Sequence, residues 1–124
     1  KGLTSKIHLY TGIPHSKKTR ILSRAKIFIN TNPYHGFGIG SVEAMATGLP
    51  VITIRRGAVY YDVIDRGKYG FSYETLDELI NTTIKLLTDE SLWNRYSKIS
   101  LERSKSFSYQ IFKEKVHNII ESLI

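Results

Sequence analysis

The 124-residue chain carries 18 Lys and Arg against 11 Asp and Glu, a formal net charge of +7, with 41% hydrophobic residues and no cysteine. That length holds one domain at most, and the absence of Cys excludes disulfides and thiol catalysis. No apolar run approaches the roughly 20 residues that span a bilayer, no secretory signal is visible, and the basic charge lacks the long tract or motif of a nucleic-acid module.

The first readable element is Ile7-His8-Leu9-Tyr10, which alternates as a strand does and is broken by Gly12-Ile13-Pro14. His15 or Ser16 is placed to cap a helix whose apolar positions, Ile21, Leu22 and Ala25, share one face. Lys26 to Asn30 reads as the next strand, and Val51 to Ile54 as another; both are short and rich in β-branched or aromatic residues, as buried strands are. Between them Val42, Met45 and Ala46 fall at i, i+3 and i+4 of a helix. Gly48 suits the left-handed residue after its end, and Pro50 stops it from continuing. Strand, glycine-rich loop, helix and strand make a βαβ unit with parallel strands. The expected class is α/β.

Beyond Ile54, Arg55-Arg56-Gly57-Ala58 reads as a loop, Val59 to Arg66 as a short helix stopped by Gly67, and Gly70 to Tyr73 as a last short strand. Thr75 and Glu78 form a capping box, and Leu76, Leu79, Ile80, Thr83, Ile84 and Leu87 are expected to be the buried face of the helix behind it. Asp89 or Ser91 opens another helix with Leu92, Trp93, Tyr96 and Ile99 inward, Trp93 as core rather than as a ligand platform. Ser108 caps a final helix with Phe112, Val116, Ile119, Ile120 and Leu123 on one face.

The chemistry concentrates at the glycine-rich loop. Gly36, Gly38 and Gly40 stand at a helix entry, where missing side chains open the first backbone N–H groups to a ligand and the helix dipole favours phosphate. Their spacing departs from the dinucleotide fingerprint, and three glycines also serve a tight turn, so spacing alone leaves both readings open. Glu43 lies about one turn into the helix, where a carboxylate can accept hydrogen bonds from two neighbouring hydroxyls such as a ribose presents. Arg55 and Arg56 follow the carboxyl end of a parallel strand, where open α/β sheets bind ligands; they read either as diphosphate contacts or as solvated side chains. His8, His15, His35 and His117 are scattered without metal-ligand spacing, so no metal site is expected.

The run His35-Gly36-Phe37-Gly38-Ile39-Gly40-Ser41-Val42-Glu43-Ala44-Met45-Ala46-Thr47-Gly48-Leu49-Pro50-Val51-Ile52 resembles the signature of retaining GT-B-fold glycosyltransferases of the group 1 type. The likeness continues more weakly from Ile7 to Tyr109. It implies a Rossmann-like parallel sheet flanked by helices, part of the C-terminal, donor-binding domain of such an enzyme. It implies that Glu43 holds the ribose hydroxyls and that the backbone at Gly36, Phe37, Gly38, Ile39 and Gly40 meets the phosphates and donor sugar. It also implies that the last helix reaches across to a companion domain. His35 takes the place of the family's first Glu, with seven residues between it and Glu43. A His offers hydrogen bonds there but no carboxylate.

The expected function is therefore transfer of a sugar from a nucleotide-sugar donor with retention of configuration, the chain supplying the donor-binding half and no metal being required. The acceptor is not readable. Two other classes stay open: a non-catalytic nucleotide-sugar-binding module, and a subunit that completes a partner glycosyltransferase chain. The earlier strands of the family's domain and its diphosphate-binding Arg and Lys have no counterpart, so Lys1 to Ile124 is expected to be one incomplete domain, inactive alone. It would pair with the missing N-terminal part, with a partner chain or with its own copies. The expected setting is cytoplasmic, without nucleic acid, and with contact at the inner face of a membrane compatible with the charge.

Overall fold

The computed structural model describes residues 4–33 and 38–123. After a single 3-10 turn at Thr4–Lys6 come helix α1 (His15–Arg24), strand β1 (Phe28–Asn30), helix α2 (Ile39–Ala46) and strand β2 (Val51–Ile54). A π-helical turn (Val59–Val63), strand β3 (Phe71–Tyr73) and helices α3 (Leu76–Thr88), α4 (Glu90–Lys105) and α5 (Tyr109–Leu123) complete the order. The three strands form one parallel sheet in the order β1-β2-β3. Phe28 registers with Val51, and Ile52 with Phe71. The Rossmann-like α/β arrangement is thus present.

The middle strand explains the core. Successive strand residues face opposite sides of a sheet, and β2 is apolar on both. Val51 packs with Met45, Val59, Val63 and Ile64 on one side. Ile52 packs with Tyr73 and Leu86 on the other. Truncating a residue of this kind to Ala costs about 2–5 kcal/mol.

The helices form for local reasons. Helix α2 ends in a Schellman motif, with Leu49 N–H donating to the Ala44 carbonyl (3.1 Å) and Gly48 N–H to that of Met45 (2.9 Å). Thr75 Oγ1 caps α3 by accepting from Glu78 N–H (3.2 Å), while Glu78 Oε2 accepts from Glu74 N–H (2.9 Å). Asp89, not Ser91, caps α4, accepting from Leu92 N–H at 3.0 Å. Ser108 Oγ accepts from Ile111 N–H at the start of α5 (3.3 Å). The Trp93 indole donates to the Lys26 carbonyl at 2.7 Å, and Tyr96 packs on Phe71 with ring centroids 4.3 Å apart.

Several expectations are corrected. Ile7 to Tyr10 joins no sheet, and Leu9 is 91% exposed. The local pattern is that of a strand, but no neighbouring strand among the described residues receives it. Pro14 stands at the N-cap of α1 without a side-chain bond, so neither His15 nor Ser16 caps it, and α1 buries no residue. On α2 the buried positions are Ser41, Ala44 and Met45, and Ala46 faces out. The expected helix from Val59 to Arg66 is shorter and wider, a π-turn over Val59–Val63. Arg103 holds that turn from α4, its Nε donating to the Val63 carbonyl and its Nη2 to that of Asp62, each at 2.8 Å.

The inward face of α3 is Leu79, Thr83 and Leu86. Leu76, Ile80, Ile84 and Leu87 form a second, exposed stripe. The six positions expected on one face had combined the two. On α5, Phe112, Val116, Ile119, Ile120 and Leu123 share a face as expected, and all are exposed. No helix among the described residues is long and apolar enough to cross a membrane.

Candidate functional site

The site lies where the parallel strands end. At that rim Asn30 Nδ2 donates to Thr53 Oγ1 (2.9 Å) and to the Asn32 carbonyl (3.3 Å), tying β1 to β2 just before the loop leaves the sheet. Residues 34–37 of the loop, and with them the assignments to His35, Gly36 and Phe37, lie outside the described residues.

Both ends of the loop are held by the segment after β2. Gly57 has φ +79°, and a Cβ there would stand 2.7 Å from the Pro33 carbonyl oxygen. Gly38 has φ +81°, and a Cβ there would collide with Val59 Cγ2. Only glycine meets both demands at either position without strain. Gly57 therefore packs against the Pro33 backbone, and Gly38 against the Val59 side chain. Gly38 is also the N-cap of α2, and among the described residues no side-chain cap bond is made there. Among the described residues, a Cβ at Gly40 would meet only Phe28 Cζ, at the ordinary contact distance of 3.8 Å.

Glu43 sits one turn into α2, half-buried, as its position in the sequence suggests. It does not stand alone. Lys18 Nζ reaches its Oε2 at 2.9 Å from α1. This contact joins residues 25 positions apart and is not visible as a local pattern. Its background is visible: Lys1 to Val42 contain seven Lys and Arg and no acid, whereas Glu43 to Ile124 contain eleven of each sign. Glu43 is the first acid the basic N-terminal third can meet.

The two arginines part company. Arg55 Nε donates to Ser72 Oγ (3.1 Å), its Nη2 lies 3.3 Å from Glu78 Oε2 and its Nη1 3.8 Å from Glu74 Oε2. Its charge is thus directed at the start of α3. Arg56 is exposed. The structure brings Gly38, Ile39, Gly40 and Glu43 together on α2 and turns Arg55 towards β3 and α3. Among the described residues no group of His, Asp and Glu is arranged to hold a metal ion.

Residues 1–103 match the family model described as glycosyl transferases group 1. The chain is similar to the probable sucrose-phosphate synthase of Thermosipho melanesiensis, 36% identical over 97 residues, which covers 73% of this chain and 23% of that protein. It is also similar to the sucrose synthase of Melioribacter roseus, 27% identical over 103 residues, which covers 77% of this chain and 13% of that one. Among solved structures, the sucrose-phosphate synthase from Thermosynechococcus elongatus aligns with 98% of this chain at a TM-score of 0.77 and 24% identity. That alignment covers 31% of the solved chain, so the fold is that of a part of the larger protein.

Proposed function

The chain belongs to the glycosyl transferases group 1 family, and from that premise we propose that it supplies the donor-binding half of an enzyme that transfers a sugar from a nucleotide-sugar with retention of configuration. The observation that carries this reading is the placing of Glu43. A half-buried carboxylate one turn into α2 stands beside a glycine loop at the carboxyl end of a parallel sheet, which is where such sheets take nucleotides. A carboxylate accepts two hydroxyls at once, as the ribose demands. The start of α2 at Gly38, Ile39 and Gly40, where a glycine stands at the N-cap, offers backbone N–H groups to the diphosphate. Arg56 adds a charge from the next loop, while Arg55 is held by Ser72, Glu74 and Glu78. His35 faces the donor sugar in this reading, supplying hydrogen bonds rather than a carboxylate.

The rest of the enzyme must come from elsewhere. Among the described residues, strands β1 and β3 are the edges of the sheet, and an open edge invites another strand. The exposed apolar face of α5 supports contact with a companion domain, whether from the same polypeptide or from a second chain. The test is incubation of the full-length protein with a panel of nucleotide sugars. Release of nucleoside diphosphate is followed together with the anomeric configuration of the sugar, read by NMR before it mutarotates. Retained configuration is expected. An inverted anomer, or release of nucleoside monophosphate, refutes the reading.

A further inference from the structure

We propose that Lys18 is a positioning residue for Glu43, and that through it the site prefers a ribose over a deoxyribose in the bound nucleotide. This rests on reading Glu43 as the ribose contact. Lys18 stands at the end of the first turn of α1, a helix that buries no residue. Its Nζ lies 2.9 Å from Glu43 Oε2, with the two side chains 42% and 29% exposed. An ion pair this exposed adds little to stability, so stability gives no strong reason for its presence.

The geometry of a carboxylate gives one. Two oxygens provide about four lone-pair sites. Lys18 takes one on Oε2, which leaves Oε1 and the remainder of Oε2 for two neighbouring hydroxyls. Ion pair and ligand are therefore compatible, and the lysine fixes the carboxylate before the ligand arrives. A free glutamate side chain has three rotatable bonds and must be immobilised on binding; holding it beforehand removes that cost from the affinity. The cation also faces a carboxylate that would otherwise be the first acid beside a strongly basic N-terminal third.

The effect is a matter of position and so is specific to the hydroxyls. Removing the 2′-hydroxyl leaves one charge-assisted bond unmade, and the wild-type protein should bind uridine diphosphate about tenfold or more tighter than 2′-deoxyuridine diphosphate. Losing Lys18 lets the carboxylate wander, which weakens the ribonucleotide more than the deoxyribonucleotide.

The experiment titrates the full-length protein with uridine diphosphate, 2′-deoxyuridine diphosphate and inorganic pyrophosphate, for wild type, Lys18→Met, Lys18→Gln, Lys18→Arg and Glu43→Ala. For both Lys18→Met and Lys18→Gln, uridine diphosphate affinity should fall about twofold to fivefold, the most that a pair this exposed can supply. The ribo-to-deoxyribo ratio should shrink, pyrophosphate should bind as before, and the melting temperature should hold. Lys18→Arg should retain most of the wild-type ratio. An equal loss for all three ligands would make Lys18 a phosphate contact and overturn the proposal. So would tighter uridine diphosphate binding, which would mean that Lys18 occupies the place of the ribose. Unchanged affinities in the Lys18 variants, with a clear loss in Glu43→Ala, would remove Lys18 while leaving the ribose reading intact. Unchanged affinity in Glu43→Ala would bring down the ribose reading itself.

Discussion

The grip on the glycine loop is open to a controlled test at Gly57. Its φ of +79° strains any L side chain, and a Cβ would stand 2.7 Å from the Pro33 carbonyl oxygen. Gly67 is the natural control, with φ +103° and no atom of the described residues within 4 Å of an added Cβ. Gly67→Ala therefore meets only backbone strain, about 1–2 kcal/mol. Gly57→Ala meets the same strain and a collision with backbone that cannot rotate away. Pro33 must move, and the loop between β1 and α2 must move with it. The expected loss of stability for Gly57→Ala is about 1–3 kcal/mol beyond that of Gly67→Ala, the range of overpacking in a well-filled site. At about 4 °C per kcal/mol for a chain of this size, the two variants should melt at clearly different temperatures. Nucleoside diphosphate affinity should fall for Gly57→Ala and stay unchanged for Gly67→Ala. Thermal melts and titration calorimetry on the same preparations decide it. Equal melting temperatures together with equal affinities would refute the idea that Gly57 holds the loop.

The other expectations concern the core, the two arginines and His35. Leu86→Ala should cost about 2–5 kcal/mol because Leu86 fills the core beneath β2, whereas Ile84→Ala, on the exposed stripe of α3, should stay within about 0.5 kcal/mol in the same denaturant titration. Arg55→Ala should lower stability by no more than about 1 kcal/mol, since its ion pairs are partly solvated. Arg56→Ala should leave stability alone but weaken nucleoside diphosphate binding and flatten its salt dependence; if it binds as wild type at low and moderate salt, Arg56 is a solvated surface residue. His35→Glu in the full-length protein should change turnover among donor sugars more than nucleotide affinity. Steady-state kinetics with several nucleotide sugars would show the reverse if His35 faces the nucleotide.

The parts of the fold that were legible are those fixed by neighbours in sequence. Val51 to Ile54 had to be a buried strand because it is apolar at every position but one, and Gly48 with Pro50 marked the end of α2 because helix termination is local chemistry. What was misread depends on distant partners. Ile7 to Tyr10 has a strand's alternation, yet a strand exists only beside another. Helix α3 is apolar on more than one side, and periodicity alone does not say which stripe meets the sheet; Leu86 does so because it lies beneath Ile52 and Tyr73. The π-turn at Val59–Val63 has no sequence signature of its own and is held by Arg103, some 40 residues away. At the site, the place of Glu43 followed from counting residues into a helix, but its ion pair with Lys18 and the capture of Arg55 by Glu74 and Glu78 are long-range. The concentration of positive charge before Glu43 was countable, and it foreshadows the first of these.

The most direct measurement of the central claim is titration calorimetry of a nucleoside diphosphate against the full-length protein and its Glu43→Gln and Glu43→Ala variants. Charge-assisted hydrogen bonds contribute roughly 1.5–3 kcal/mol each, and 1.4 kcal/mol is one decade in affinity. Glu43→Ala should therefore weaken binding about tenfold or more, with Glu43→Gln between it and wild type and little change in melting temperature. A lowered melting temperature with unchanged affinity would make Glu43 a structural residue of α2 and contradict the assignment of the donor site.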